Sequence, residues 1–193
     1  MSEQNPKRRP RRELWLLLLV TIAPIVLSYF AYYVWRPSRF KNYGELIAPT
    51  PLAGVAAAPD GTAPPFDAEG LKGRWVLVMI DSGDCPAPCR DKLWQMRQLR
   101  LTQGKDQERV ARAWLVDDDA RPAPDVLKDY DGTIVVSAKA SPLIGKLPAD
   151  RSLRDHLFLV DPLGNLMMRF PKDADPNRIK KDLTHLMKVS RIG

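Results

Sequence analysis

Residues 74–96, RWVLVMIDSGDCPAPCRDKLWQM, decide the fold of this chain. The first part, RWVLVMID, is a short apolar run bounded by Gly73 and Gly83, which predicts a strand covered on both faces of a sheet. The loop DSGDCPAPC follows, and a helix is predicted from there to about residue 103, with Gly104 as its stop. The residues that recur at helical spacing are Cys89, Leu93, Met96 and Leu99.

The chain that follows continues the alternation of strands and helices. A tight turn with Pro162 and Gly164 separates the fourth and fifth predicted strands, which is typical of a β-hairpin. In chain order the further elements are predicted as a strand at 110–116, a helix at 124–130, strands at 133–137, 157–161 and 165–170, and a helix at 176–189. This order indicates an α/β domain.

Length, composition and charge exclude several classes of protein. The 193 residues are 45% hydrophobic and 27% charged, which fits about one globular domain and excludes a multidomain enzyme, a disordered chain and a polytopic membrane protein. The net charge of +7 is unevenly spread: residues 1–45 hold eight Lys and Arg against three Glu, leaving 22 against 20 elsewhere. The rest of the chain is thus almost neutral, so we expect no nucleic-acid partner.

The basic end surrounds an apolar segment. Residues 14–35, LWLLLLVTIAPIVLSYFAYYVW, carry no charge, and at about 1.5 Å per residue they are long enough to cross a bilayer core of about 30 Å. This predicts an uncleaved transmembrane helix rather than a signal peptide, whose apolar region is shorter and lies close to its cleavage site. The basic cluster ahead of the segment places the N-terminus in the cytoplasm and the remainder in the periplasm of a bacterial inner membrane.

The segment after the apolar stretch is predicted to be a linker. Residues 36–66 hold six of the 18 prolines and show no sustained period of 2 or 3.6, which indicates a semi-extended tether. The predicted organisation is therefore a basic cytoplasmic N-terminus at 1–13, a transmembrane helix at 14–35, a linker at 36–66 and a folded domain at 67–193.

Cys85 and Cys89 are the only cysteines. A C-x-x-x-C pair between a strand and a helix puts both sulfurs on the first helical turn, where the helix dipole stabilises a thiolate. Such a pair can close a disulfide, exchange it, or bind a soft ion such as Cu(I). It can also be a simple structural staple. A closed zinc site is disfavoured, because the two histidines, His156 and His185, lie far away in the sequence.

Three stretches resemble the Sco/SenC family. DSGDCPAPCRDKLWQM is similar to the cysteine motif of that family, AWLVDDD with PDVLKDY is similar to the strand and helix that follow, and FLVDPLGN is similar to its late hairpin. The resemblance covers about residues 70–190. It implies a thioredoxin-like domain, with a central mixed sheet flanked by helices, that handles Cu(I) and thiols during cytochrome c oxidase maturation. It also implies Cys85 and Cys89 as the ligand or redox pair.

The family's third copper ligand is missing from its usual position. The resemblance places that histidine where this chain has Leu153, whereas His156 stands at the start of the next predicted strand. His156 can be a displaced third ligand of the metal site, or a hydrogen-bonded structural residue. An odd shift along a strand turns a side chain to the opposite face, which favours the structural interpretation.

The other candidate residues have modest predicted roles. His185 is expected to face solvent, and Met167 and Met168 to pack rather than bind Cu(I). The acidic run at 117–119 follows a strand and is expected to be a solvated loop, with a partner contact or a hard-cation site as the alternatives.

Two functions follow from these patterns. The first is thiol–disulfide exchange or Cu(I) handling, the chain acting as a thiol–disulfide oxidoreductase with Cys85 as the attacking residue and Cys89 as the resolving one. Its partner would be a protein disulfide or a copper-site protein such as an oxidase subunit. The second is an inert binding or scaffold protein whose cysteines form a structural disulfide.

Overall fold

The computed structural model describes residues 11–33, 42–55, 66 and 70–190, and the chain divides into two units, Met1–Lys41 and Asn42–Gly193. In the first unit, helix α1 spans Arg11–Tyr33 and contains Pro24. None of its residues is buried, and it is long and apolar enough to cross a membrane. The predicted segment 14–35 overlaps it. The basic cluster at 1–10 and the last predicted residues of the span lie outside the described residues, so the orientation stays a prediction.

The second unit is built on a mixed six-stranded sheet. The strands are β1 Glu45–Pro51, β2 Trp75–Asp81, β3 Val110–Val116, β4 Thr133–Ser137, β5 Leu157–Val160 and β6 Asn165–Phe170. Their spatial order is β1-β6-β5-β2-β3-β4. β2, β3 and β4 are parallel, whereas β5, β6 and β1 pair antiparallel along the other half of the sheet. The predicted thioredoxin-like mixed sheet is thereby confirmed.

In the described part of this unit, three α-helices accompany the sheet: α2 Ala87–Leu101, α3 Pro124–Asp129 and α4 Pro176–Val189. Short 3-10 helices lie at Gly104–Arg109, Ile144–Lys146 and Leu153–Asp155. α3 and α4 begin with proline, which lacks the N–H that a first helical residue would leave unpaired. The Asp175 side chain caps α4 by accepting a hydrogen bond from the Asn177 N–H at 2.8 Å. The bounds of the helices agree with the predicted ones to within about two residues, except that the start of α2 was predicted only loosely.

The core lies in two apolar layers, one on each face of the sheet. Every residue of β2 and β3 is buried, as the continuous apolar runs predict. One layer packs beneath α2 and α4 and includes Leu77, Trp114, Leu93, Met96 and Leu183. The other is covered by irregular segments and includes Val78, Leu115, Phe158, Leu143 and Leu147. The cysteines belong to the first layer.

Strand β1 corrects the predicted linker. Residues 36–66 were expected to be a tether, yet Glu45–Pro51 pairs with β6, and Leu52 and Phe66 are buried in the core. β1 is an outer strand, and its residues are almost all exposed or partly exposed, so it shows no alternation of polar and apolar residues. Proline is tolerated on such an edge, where a strand need not donate every N–H. Much of the predicted linker, at 36–41 and 56–65, lies outside the described residues.

The chain entering β1 is held by one buried carboxylate. Asp182 of α4 is 6% exposed, and its Oδ2 accepts the N–H groups of Tyr43 at 2.9 Å and Gly44 at 2.8 Å. Gly44 packs against Met168 so closely that a Cβ there would lie 2.4 Å from its sulfur. The guanidinium of Arg178 also lies 4.0 Å from the centre of the Tyr43 ring. Asp182 and Arg178 of α4 therefore hold the chain in place at the start of β1.

Replacing Asp182 is expected to loosen this anchor. Asp182→Ala leaves two backbone N–H groups without an acceptor in a buried place, so we expect a loss of about 1 to 3 kcal/mol of unfolding free energy in urea titration. Asp182→Asn, which keeps an acceptor oxygen, should lose less. The exposed Asp129→Ala is the control and should change little; an equal loss in both alanine variants would contradict the anchoring role.

Candidate redox site

Cys85 and Cys89 form a disulfide at the start of α2. Their Cα atoms are 5.1 Å apart, and the two residues are 1% and 0% exposed. Cys89 lies on the inner face of the helix with Leu93 and Met96, as its spacing predicts. The sequence predicts the attacking role for Cys85, and in the disulfide both cysteines are buried in the core layer beneath α2.

Two prolines shape the first turn of α2 around the disulfide. Pro86 caps the helix from an extended conformation, and Pro88 follows within its first turn. The Cys89 and Arg90 N–H groups both donate to the Pro86 carbonyl, at 2.9 and 3.1 Å. Neither proline has an N–H, so few unpaired donors remain at this helix end. Both prolines are exposed, whereas the two cysteines that they alternate with are buried.

The backbone ahead of the helix turns sharply. Cys85 has a φ of +44°, a left-handed conformation that is uncommon and costly for a residue with a Cβ. Its N–H donates to the Ser82 carbonyl at 3.1 Å, which closes the turn. Gly83 lies so near the Ala120 carbonyl that a Cβ would come within 2.0 Å of that oxygen. Only glycine fits there, and the loop is held in this strained shape from outside.

Asp118 is the residue that holds the turn. Its Oδ1 accepts the N–H groups of Gly83 at 3.0 Å and Ala120 at 3.1 Å, so one carboxylate joins the cysteine loop to the loop after β3. A hydrogen bond from the Ser82 side chain and then the Gly83 N–H hold the pKa of Asp118 below its ordinary value. The charged form of Asp118 is therefore the form that the turn needs.

Lys92 ties the same helix to two other segments. Its ammonium lies 2.7 Å from Asp81 Oδ2, and it also donates to the Ile80 carbonyl at 3.1 Å and the Arg154 carbonyl at 2.6 Å. An ammonium has three donors, and all three are used. Burial lowers the pKa of Lys92, and the hydrogen bond with Asp81 opposes that shift. One charge thus joins α2, the end of β2 and the segment before β5.

A second ion pair joins the segment before β5 to the loop after β3. The guanidinium of Arg154 contacts both carboxylate oxygens of Asp117, at 2.9 and 2.7 Å, and reaches Asp118 at 3.5 Å. Asp119 pairs with Lys139 instead. The expected solvated loop at 117–119 is therefore wrong for Asp117 and Asp118, whose carboxylates connect neighbouring strand ends.

His156 does not join the cysteine pair. Its Nδ1 lies 2.9 Å from the Phe170 carbonyl, so that nitrogen carries the proton and donates. Its ring packs edge-on against Phe158, whose side chain lies in the core layer on the face opposite the cysteines. His156 thus lies against the layer opposite the cysteines, which supports the structural interpretation over a displaced third ligand. An odd shift along a strand is not the reason, because Leu153 precedes β5 and packs against the same layer as Phe158.

The donor atoms at the site suit two-coordinate binding at most. Among the described residues, no three His, Cys, Asp or Glu side chains gather in a way that could hold a metal ion. Met168 is buried in the core, Met167 packs at its margin, and His185 is exposed on α4. The two sulfurs, once reduced, are the soft donors that remain for Cu(I).

A groove runs beside the disulfide. It has a volume of about 720 Å³ and is lined by residues that include Pro86, Pro88, Trp94, Lys172 and Pro176. Trp94 is 54% exposed, which is unusual for so large an apolar side chain. Pro86 and Pro88 line the groove and the two cysteines do not, so a partner in this groove would contact the prolines of the first turn rather than the sulfurs.

Several residues that build the site carry no direct signal in the sequence. The residues that position the cysteine loop are Asp81, Lys92, Asp117, Asp118 and Arg154. One signal was available: the carboxyl ends of adjacent parallel strands meet at one edge of a sheet, and both the cysteine loop and the acidic run follow such strands. No pattern in the sequence indicates the contact of Lys92 with Arg154, because 62 residues separate them.

Comparison with known proteins supports the fold. Residues 75–190, more than half of the chain, match the family described as transmembrane-like, thioredoxin-like, C-terminal domain. The chain is 29% identical over 122 residues to mitochondrial Sco2 of Saccharomyces cerevisiae, a match that covers 57% of this chain and 39% of that protein. The chain thus spans well under half the length of this curated relative.

Two solved structures are similar in fold. The apo Sco1 protein of Thermus thermophilus is 20% identical with a TM-score of 0.54, and the match covers 75% of this chain and 96% of that one. Arabidopsis thaliana ScoI with copper bound is 12% identical with a TM-score of 0.51, covering 77% and 99%. At these identities the likeness concerns the fold alone.

The charge of Asp118 makes the stability of the fold depend on pH. Because its pKa in the folded state is lowered below 3.8, its stabilising effect is fully present above pH 3.8 and is lost as the pH falls through the lower value. We expect the stability difference between the native chain and Asp118→Asn to shrink steadily below about pH 4, measured by urea unfolding. Asp119→Asn, whose side chain is 82% exposed, is the control and should show no such trend.

Proposed function

Because the chain belongs to the transmembrane-like, thioredoxin-like C-terminal domain family and has a Sco/SenC-like thioredoxin fold, we propose that Cys85 and Cys89 exchange disulfides with a partner protein. The observation that carries this proposal is the position of the disulfide, at a strained turn on the first turn of a helix that follows a central strand. A helix N-terminus favours a thiolate, which is the leaving group and nucleophile of exchange.

The exchange proceeds in two steps. The Cys85 thiolate attacks one sulfur of the partner disulfide, so that a Cys85–partner bond forms and a partner thiolate leaves. The Cys89 thiolate then attacks the Cys85 sulfur, which closes the Cys85–Cys89 disulfide and releases the second partner thiolate. Two electrons pass to the partner, and an external dithiol must reduce the chain again before the next cycle.

Access to the sulfurs requires the first turn of α2 to open. Both cysteines are buried in the disulfide, with the exposed Pro86 and Pro88 beside them. Reduction removes the covalent link between Cys85 and the helix, so the first turn of α2 can open while Asp118 still holds the loop ahead of Cys85. We assign the attacking role to Cys85 because it lies in the loop, and the resolving role to Cys89 because it lies on the inner helix face.

Cu(I) fits this site as a transferred cargo rather than as a resident cofactor. Two thiolates form a soft, two-coordinate donor set, and His156 faces the other side of the sheet. The relative ScoI from Arabidopsis thaliana has copper bound in its structure. We propose that the reduced Cys85 and Cys89 hold Cu(I) for transfer to a copper-site partner.

The proposed setting is the maturation of cytochrome c oxidase at a membrane. The chain carries a helix long and apolar enough to span a bilayer, and the basic residues ahead of it favour a cytoplasmic N-terminus with the domain in the periplasm. The proposed partner is an oxidase subunit with a disulfide or copper site. This setting follows from the resemblance to Sco proteins.

A second function is favoured by the burial of the sulfurs. With exposed fractions of 1% and 0%, the disulfide also fits a structural staple in a binding or scaffold protein. The two functions differ in reduction potential, because structural disulfides lie below about −300 mV and exchanging ones lie above it.

We expect the Cys85–Cys89 couple to titrate above about −300 mV when the full chain in detergent is equilibrated with dithiol buffers. The Cys89→Ala variant should form a stable mixed disulfide with a small disulfide probe such as oxidised glutathione, because the resolving thiol is absent, whereas Cys85→Ala should not. Intact mass reports the adduct. A potential well below −300 mV would establish the staple, and trapping only in Cys85→Ala would reverse the two roles.

The reduced chain is expected to bind one Cu(I) through both cysteines and without His156. Cys85→Ser or Cys89→Ser should weaken Cu(I) binding by at least about tenfold in competition with a chromophoric chelator. His156→Ala should leave the affinity within about twofold, like the exposed control His185→Ala. A tenfold loss in His156→Ala alone would show that reduction brings His156 to the thiolates.

A further inference from the structure

Arg112 is a buried cation that forms no ion pair within the described part of the chain. It lies in β3 with 4% of its surface exposed. Its Nη2 donates to the Asp131 carbonyl at 2.5 Å, while its Nε and Nη1 are buried without a hydrogen-bond partner. A buried guanidinium with unpaired N–H groups is costly, so this position calls for an acceptor.

A second unpaired polar group lies beside it. Thr133 of β4 is the register partner of Arg112 in a parallel pair, so the two side chains are on the same face of the sheet. The Thr133 hydroxyl is also buried without a partner. Two guanidinium nitrogens and one hydroxyl without partners therefore belong to register-paired residues on one face of the sheet, at the end where β4 is the outer strand.

The surroundings of Arg112 are positively charged. Arg97 and Arg100 of α2 lie close enough to repel it, and this repulsion adds to burial in lowering the pKa of Arg112; the charge of Asp131 opposes the shift. Arg100 is paired with Glu108 at 2.7 Å, whereas Arg97, within the described residues, has one long bond, of 3.4 Å, to the Asp129 carbonyl. The exposed Arg97 is thus available to contact a ligand.

We propose that Arg112, Arg97 and Thr133 bind a small oxyanion of the phosphate class between α2 and the β3–β4 edge. A guanidinium presents parallel N–H donors that match two oxygens of such an anion, and the hydroxyl can donate to a third. Gly132 lies beside Arg112, where a Cβ would be 3.3 Å from Nη2, the nitrogen already bonded to the Asp131 carbonyl. None of these residues takes part in disulfide exchange.

Phosphate chemistry can come from two sources, free phosphate or the headgroup of a phospholipid. The test uses the oxidised full chain in a neutral detergent, with chloride replaced by inorganic phosphate at constant ionic strength. A parallel series uses a short-chain phosphatidic acid. Binding to the folded state should raise the melting temperature in a saturable way, by roughly 2 to 6 °C. A shift with the lipid alone would identify the headgroup as the source.

Variants distinguish binding at this site from a general effect of ions on the melting temperature. Arg112→Met should lose the saturable shift, Arg97→Gln and Thr133→Val should each weaken the apparent affinity by about tenfold, and Lys105→Met should keep the native response as a charge-matched control. The proposal is overturned if the native chain shows no saturable shift with either probe, or if Arg112→Met retains it. If Arg112→Met does not fold, an unchanged response in both Arg97→Gln and Thr133→Val overturns it equally.

Discussion

The architecture around the cysteines depends on one ammonium group, that of Lys92. Two segments supply its three acceptors: the Asp81 carboxylate and the Ile80 carbonyl at the end of β2, and the Arg154 carbonyl before β5. A buried charge with every donor satisfied is strongly resistant to displacement, because removing any acceptor leaves an unpaired charge in the protein. Lys92 therefore holds α2 in place about one turn after Cys89, the cysteine that lies in this helix.

The neighbouring interactions extend this constraint to the disulfide. Asp118 joins the loop before Cys85 to the loop after β3, and Arg154 bridges Asp117 to the segment that Lys92 already holds. The strained φ of Cys85 persists because these contacts determine the path of the chain on both sides of it. The same contacts do not involve the sulfurs, so the scaffold can stay ordered while the cysteines change oxidation state.

The sequence predicts most of the fold and only part of the site. The apolar runs of β2 and β3 identify buried strands because both of their faces are covered, and the spacing of Cys89, Leu93 and Met96 identifies the inner face of α2. β1 was missed because an exposed outer strand needs no apolar alternation. The ion pairs of Lys92 and Arg154, and the unpaired Arg112 beside Thr133, arise between segments far apart in the chain, where local pattern carries no information.

The prolines of β1 have one more effect. An exposed outer strand offers a row of N–H and C=O groups on which a strand of another molecule can assemble. Pro49 and Pro51 have no N–H, and the register of β1 against β6 shifts between Leu46 and Thr50. Both features make this edge a poor template for intermolecular β-pairing. The residues that hide β1 from sequence-based prediction thereby protect the domain from edge-to-edge aggregation.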